Sequence, residues 1–263
     1  MNTIYINMIG GLGNQLFQYS TAKELSILSN KKLVINKYWY ESKSDRPFLL
    51  DKLVCDLNVI SEVKSPYDKD CHKYNCDENC HNVIDFSYHD CNDIRLYGYF
   101  VNLNYFKNSF SRLCNSFNSK SPYVLDDNTA SIHIRRGDYL KFSNLFRILP
   151  DEYYVEAIER LLKINKNMTF LVFSENNERY AFLDKYNVLY IDYLDTVHSF
   201  WKMIATKYHI IANSTFSLWA SYISNCCYNA HTISPLKWYT PLNIEHNISA
   251  KKLNLENWDI IDL

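Results

Sequence analysis

The sequence predicts two α/β domains, each a parallel β-sheet covered by helices. Three observations lead there. A strand, a glycine loop and a helix follow one another at the N-terminus; short apolar runs alternate with helical segments from Ala130 onward; and 263 residues are enough for two domains with a core each.

The first strand is Thr3 to Ile9, TIYINMI, rich in β-branched and aromatic residues. Next comes GGLGNQLFQY, residues 10 to 19, which holds Gly10, Gly11 and Gly13, three of the five glycines in the chain. Glycine lets a backbone take positive φ or pass close to another group, so unusual geometry is expected at this point. Residues 14 to 46 contain neither Gly nor Pro, which suits a helix over at least the first half. Its apolar residues (Leu16, Phe17, Tyr19, Ala22, Leu25, Leu28) make no narrow stripe. Backbone N–H groups at such a helix start can meet a phosphate or a sugar. Gly10-Gly11-Leu12-Gly13-Asn14-Gln15 nevertheless has neither GxGxxG nor P-loop spacing, so a tight βα turn and a ligand loop both stay open.

Residues from about 37 to 95 are harder to read and contain no internal repeat. A boundary is expected in the polar stretch Asn115 to Asn128, dividing the chain into domains 1–122 and 123–240. The tail, 241–263, is expected to pack back on the first domain.

The second half alternates SIHI (131–134), TFLVF (169–173), VLYI (188–191), HIIA (209–212) and HTI (231–233) with helical segments. In the clearest helix, 150–165, Tyr154, Val155, Ala157, Ile158, Leu161 and Leu162 share a face, and Pro150 suits the first turn. Buried runs alternating with helices imply a doubly wound parallel sheet, whose ligands gather at the carboxyl ends of the strands. That rule points at Arg135 to Asp138, at Ser174-Glu175-Asn176, and at Asn213-Ser214-Thr215-Phe216.

HIRRGDY, 133–139, offers His133, Arg135, Arg136 and Asp138 at a strand end. Arginine can hold phosphate oxygens through two parallel hydrogen bonds, and an Arg–Asp ion pair trimming a loop is the alternative. Asn213, Ser214 and Thr215 present an amide and hydroxyls before a helix, either as an anion site or as an ordinary N-cap. Both motifs on one sheet look like a pyrophosphate cradle.

Composition narrows the partners. With 28 basic and 29 acidic side chains the net charge is −1, so no bulk field attracts nucleic acid. No apolar run approaches the ~20 residues of a membrane span, and the chain enters a strand without a signal peptide; a cytoplasmic protein with mostly reduced cysteines is expected. Cys71, His72, Cys76, Cys80 and His81 supply enough ligands for zinc but match no common spacing, so free thiols are the default. Sequons at Asn167, Asn213 and Asn247 carry little weight without a secretory route, and the RGD at 136–138 reads as chance.

GGLGNQLFQY, LYGYF(x4)YF at 96–106, HIRRGDY, LPDEYY, LVFSEN, IIANSTFSLWASY and ISPLKWY occur in the order found in the α-1,2-fucosyltransferases, the eleventh glycosyltransferase family. The chain resembles that family over nearly its whole length, except roughly 37–93. HxRRxD is shared more widely, with α-1,6- and protein O-fucosyltransferases. Leu218 where the family often has tryptophan, Glu175-Asn176 in place of two acidic residues, and Val101 in place of Gln depart from its pattern.

The resemblance implies a GT-B-like fold, two Rossmann-like domains with parallel sheets facing across a cleft, with GDP-L-fucose held mainly by the C-terminal one. It implies that Arg135 holds the β-phosphate, His133 lies near the nucleoside and Arg136 supports the strand end. Asn213, Ser214, Thr215 and Phe216 would complete the phosphate site, and Ser174 would border the nucleotide. Gly10, Gly11, Gly13, Asn14 and Gln15 would form a cleft wall. The implied reaction is inverting transfer of fucose to the 2-hydroxyl of a terminal β-galactoside in a surface glycan, with Asp138 as base or as an anchor for an arginine. No DxD string stands in the nucleotide half, so no divalent metal or other cofactor is expected. An acceptor linked to a membrane, met peripherally, fits this reading, and the lack of the anchor that animal members carry suggests a bacterial or viral origin.

Three rivals remain. A dinucleotide oxidoreductase would need a third glycine and a ribose-binding acid about twenty residues on. A sugar-nucleotide-binding protein without catalysis, and a transferase of another sugar or linkage, share the fold.

Overall fold

The computed structural model describes residues 3–42, 46–62, 71–75, 93–175, 178–192 and 194–263. It divides into two units, Met1–Ser116 and Phe117–Leu263, close to the expected boundary at 122.

The first unit begins with β1 (Thr3–Asn7) and α1 (Leu12–Ser29), followed by β2 (Lys32–Asn36). Two short helices, α2 (Tyr38–Ser42) and α3 (Leu50–Leu53), precede β3 (Val59–Ile60), β4 (Cys71–Asn75) and β5 (Asp93–Tyr97). The strands form one sheet in the order β3-β2-β1-β5-β4, every pairing parallel. At its centre Ile4 stands beside Leu33 and Ile94, and the side chains of Ile4, Ile6, Ile94 and Leu96 are fully buried. Helix α1 buries 12 of its 18 residues, Gln15, Gln18, Ser20, Thr21 and Glu24 among them. Burial on nearly all sides explains why no narrow apolar stripe marks it in sequence. Among the described residues, the hard-to-read stretch 37–95 includes two short helices, the two-residue β3 and the five-residue β4, elements too brief for periodicity to register.

Helix α4 (Phe110–Asn118) contains the boundary. The second unit continues with β6 (Asp126–Ile134), α5 (Asp151–Ile164), β7 (Thr169–Ser174), β8 (Val188–Tyr190), α6 (Thr196–Ile204), β9 (Thr206–Ile210) and α7 (Thr215–Tyr228). It closes with β10 (His231–Pro235), α8 (Ile244–Lys251) and β11 (Asp259–Ile261). The sheet order is β11-β10-β9-β6-β7-β8, again wholly parallel. Each of the five apolar runs read from the sequence overlaps a strand of this sheet, HIIA and VLYI extending past the ends of theirs. Pro150 is the N-cap of α5 rather than its first residue, and Tyr153 joins Tyr154, Ala157, Ile158 and Leu161 on the buried face. The core is strongly aromatic, with Trp219 fully buried edge-on to Phe117 and Tyr222, ring centroids 5.6 Å apart in each pair.

The tail differs from expectation. It belongs to the second unit, where β11 pairs with β10 through Ile233–Asp259 and Pro235–Ile261. Trp258 packs on Tyr222 at 5.4 Å, and the Tyr222 hydroxyl donates to the Leu253 carbonyl. An edge strand leaves a row of unpaired N–H and C=O groups, and a three-residue strand at the tail's end satisfies them on β10.

Candidate functional site

Strands β6, β7 and β9 are neighbours in one parallel sheet, so the residues just after them lie at one edge. Ile134 ends β6, and Arg135 follows with its side chain 18% exposed. Two carboxylates hold it. Its Nη2 donates to Asp138 Oδ2 at 2.8 Å, and its Nη1 meets Glu175 Oε1, just past β7. The Nε hydrogen is buried with no partner among the described residues. The guanidinium also stands over the ring of Tyr139 at 5.4 Å.

Gly137 makes this clamp possible. A Cβ at that position would overlap the Glu175 carboxyl group, so any larger residue would push Glu175 away from Arg135. The sequence places Glu175 at a strand end, in Ser174-Glu175-Asn176, but does not mark it as the partner of Arg135. Its string, LVFSEN, was noted, but the route to Arg135 runs through a space that only the folded loop defines.

His133 is buried, with Nδ1 2.8 Å from Ser217 Oγ and its ring 5.7 Å from that of Phe216. Burial, reinforced by the positive charge of Arg135, lowers its pKa to about 3, so the imidazole is neutral at physiological pH. This contact ties the end of β6 to the first turn of α7. Ser214 is the N-cap of that helix, its Oγ accepting from the Phe216 N–H at 3.4 Å. Thr215 begins the helix half-buried, and Phe216 packs on Phe200 at 5.3 Å. Ser174 ends β7, its hydroxyl donating to the Glu178 carbonyl at 3.4 Å. Tyr139 links the loops: its hydroxyl donates to the Asn213 carbonyl at 2.9 Å.

Two expected site residues are engaged elsewhere. Arg136 points to the start of α5, where it meets Asp151 at 2.5 Å, donates to the Leu149 carbonyl at 3.3 Å and covers the Tyr180 ring at 5.1 Å. Asn213 is 1% exposed, and its amide donates to the carbonyls of Arg147 (2.9 Å) and Trp238 (2.7 Å). These contacts tie Arg136 to the start of α5 and Asn213 to the segments at 147 and 238.

The glycine stretch of the first unit is also tied inward. Only Gly10 and Gly11 are loop, Gly11 being the N-cap of α1, whereas Gly13, Asn14 and Gln15 form its first turn. Gly10 has φ +79°, and a Cβ there would lie 2.7 Å from Asn14 Nδ2 and 3.2 Å from the Tyr99 ring. Gln15 is fully buried. It donates to the carbonyls of Gly10 and Pro47, both at 3.2 Å, and accepts from Leu49 and Leu50 N–H at 2.9 and 3.0 Å. Gln18 brackets Ile9 in the same way, accepting from its N–H at 3.1 Å and donating to its carbonyl at 3.2 Å. The Tyr40 hydroxyl gives the Gly10 carbonyl a second donor at 2.9 Å. Asn14 remains at the surface of this turn, half-buried.

Among the described residues no group of three or more His, Cys, Asp or Glu could hold a metal ion. In the cysteine–histidine cluster, Cys71 and His72 begin β4, and Cys76, Cys80 and His81 lie outside the described residues. No helix among the described residues is long and apolar enough to cross a membrane.

Comparison with known families decides the class. The family described as Glycosyl transferase family 11 matches residues 1–258, almost the entire chain. The chain belongs to glycosyltransferase family 11. Two Escherichia coli proteins are similar along their whole length. An alpha-1,2-colitosyltransferase is 28% identical over 91% of this chain and 93% of its own, and the O-antigen biosynthesis glycosyltransferase WbnK is 25% identical over 97% and 99%. Among solved structures, POFUT1 in complex with GDP superposes with a TM-score of 0.53 at 11% identity, covering 85% of this chain and 94% of that one. Arabidopsis thaliana FUT1 in complex with GDP gives 0.50 at 12% identity, covering 91% and 71%. At such identities these two speak for the fold. This family 11 glycosyltransferase is an α/β protein of GT-B-like class, two units each built on a parallel sheet.

Proposed function

We propose that this enzyme transfers L-fucose from GDP-β-L-fucose to the 2-hydroxyl of a terminal β-galactoside, with inversion at the anomeric carbon, in building a surface glycan. The observation that carries the reading is Arg135, a half-buried guanidinium at the carboxyl edge of a parallel sheet beside the first turn of α7. As the diphosphate departs from C1 of the sugar, negative charge develops on the phosphate oxygens, and a preorganised guanidinium with helix N–H groups nearby is suited to stabilising it. The acceptor oxygen forms a bond to C1 of fucose, the bond from C1 to the β-phosphate oxygen breaks, and the acceptor proton leaves to a base.

In this reading Arg135 holds the diphosphate, and the Ser214–Phe216 turn with neutral His133 lines the nucleotide side. Ser174 borders it. Asp138 is engaged by Arg135, which favours the anchoring role over that of base, and Glu175 shares that role. The cation is thereby oriented before the donor arrives. Arg136 and Asn213 act indirectly, by holding α5 and the loop after β9. No divalent metal takes part, because the guanidinium serves as counter-charge; activity unchanged by EDTA is the expected result, and loss of activity rescued by Mn²⁺ or Mg²⁺ the contrary one.

A second reading keeps the linkage and changes the sugar. It is favoured by the alpha-1,2-colitosyltransferase relative, 28% identical over 91% of this chain. The discriminating experiment offers purified enzyme GDP-L-fucose or the nucleotide-linked colitosyl donor, with lactose, N-acetyllactosamine or a β-1,3-galactoside. Released GDP and product mass are followed. A deoxyhexose added to galactose supports the first reading; transfer from the colitosyl donor alone replaces it.

A further inference from the structure

The chain after the Arg135 loop forms a strap with exposed apolar side chains. After Tyr139 the chain makes a short helical turn to Phe142, and residues 144–147 are fastened to 238–243. Phe146 and Tyr239 form an antiparallel bridge, Arg147 N–H donates to the Trp238 carbonyl at 3.1 Å, and Thr240 N–H to the Leu145 carbonyl at 3.0 Å. The Thr240 hydroxyl adds a bond to the Asn144 carbonyl at 3.1 Å. Rings stack through the joint: Tyr139 on Phe146 at 4.3 Å, Phe146 on Tyr239 at 5.5 Å, Tyr239 against His246 at 4.9 Å. Asn247 locks the start of α8 to this strap, accepting from the N–H groups of Trp238 and Tyr239, both at 2.9 Å.

This well-anchored strap carries large apolar side chains on its outside. Leu140 is 60% exposed, Phe142 53%, Leu242 92%, Ile244 67% and Ile248 55%. Five such residues on two segments fastened together are more than the scattered single hydrophobics of an ordinary surface. Their charged neighbours have one dominant sign. Segments 139–146 and 240–252 contain Lys141, Lys251 and Lys252 against Glu245 alone, in a chain whose net charge is −1. On α8, Ile244, Ile248 and Lys251 follow the i, i+4, i+7 spacing of one face. Apolar side chains flanked by lysines are the pattern of an interfacial contact, in which the apolar groups enter the headgroup boundary by ~5–10 Å and the lysines meet anionic headgroups.

We propose that Leu140, Phe142, Leu242, Ile244 and Ile248, with Lys141, Lys251 and Lys252, seat the second unit on an anionic phospholipid surface. The strap is continuous with the loop bearing Asp138 and Tyr139, so seating it brings that loop to the membrane. The proposal does not depend on which sugar is transferred.

The test is co-sedimentation of the purified full chain with vesicles of phosphatidylglycerol and phosphatidylethanolamine, against vesicles of phosphatidylcholine. Partitioning to the anionic vesicles is expected to be about tenfold stronger and to fall at high salt. Leu242→Asp with Ile244→Asp, and separately Lys251→Glu with Lys252→Glu, are expected to lower it about tenfold while transfer to a soluble acceptor and far-UV circular dichroism stay at wild-type values. Equal binding to both vesicle types, binding to neither, or variants that bind like wild type would overturn the proposal. So would a loss of self-association in the Leu242/Ile244 variant at unchanged vesicle binding, which would assign the surface to a second copy of the chain.

Discussion

The strand-to-helix junction at the start of α1 and the one at the end of β6 are both motif-rich, and they use their residues in opposite ways. In GGLGNQLFQY the polar side chains turn inward: Gln15 makes four hydrogen bonds to backbone and Gln18 two, all within the first unit. In HIRRGDY a charged group, Arg135, is kept at the strand's edge by Asp138 and Glu175 with its Nε unpartnered. The first motif holds a turn; the second holds a charge. Dense polar sequence at a βα junction therefore does not distinguish a ligand site from a brace until the partners are known.

Five substitutions, one of them read against pH, sharpen this contrast, taken from the largest effect. Arg135→Ala should lower kcat about a hundredfold or more, roughly the loss of one preorganised charge stabiliser, with little change in unfolding free energy. Near-normal turnover would break the distinction on the catalytic side. Gln15→Ala should do the reverse, costing about 2–3 kcal/mol in urea denaturation because the Leu49 and Leu50 N–H groups and the Gly10 and Pro47 carbonyls lose their shared partner. Unchanged stability there would mean that the turn is held by something else.

Acid is the third probe. His133 and His209 are buried neutral with pKa values lowered to about 3 by desolvation, from an ordinary 6.5. Between those values the unfolded chain binds more protons than the folded one. Stability is therefore full above pH 6.5 and declines as pH falls toward 3, by about 1.4 kcal/mol per pH unit for each histidine. Thermal melts of His209→Gln should show a shallower decline than wild type between pH 6.5 and 5, and an identical slope would assign the acid loss to other groups. Smallest is Gly137→Ala, which should displace Glu175 from Arg135 and lower kcat about five- to tenfold with modest effect on stability. Glu175→Gln should match it; wild-type kcat in both would show that Asp138 alone suffices to hold the guanidinium.

The second unit was largely legible in sequence. The inner parts of β6, β7 and β10 are buried almost throughout, so they appear as short, mostly apolar runs, and five such runs mark five of the six strands. The first unit was less so, because α1 is buried almost all round and β3 is two residues long. The tail was misjudged for a related reason: DII at 259–261 is too short to signal a strand, and its place beside β10 comes from a long-range pairing.

Within the candidate site, local strings pointed to the ends of β6, β7 and β9, which the sheet brings to one edge, since loops of parallel sheets follow their strands directly in sequence. They did not identify which partner takes each polar group. Arg135 and Arg136 are consecutive and chemically identical, yet one faces Asp138 and Glu175 and the other Asp151 and Tyr180. The two side chains leave the end of β6 toward different partners, so adjacency in sequence does not tell which partner each takes. What the sequence by itself determined is the class, the sheet whose edge bears the charge, and the residue types there. The tertiary structure decided which arginine is caged by carboxylates and which glutamine is a brace, because those outcomes depend on Glu175, Asp151 and residues 47–50, brought into reach only by the packing of distant segments.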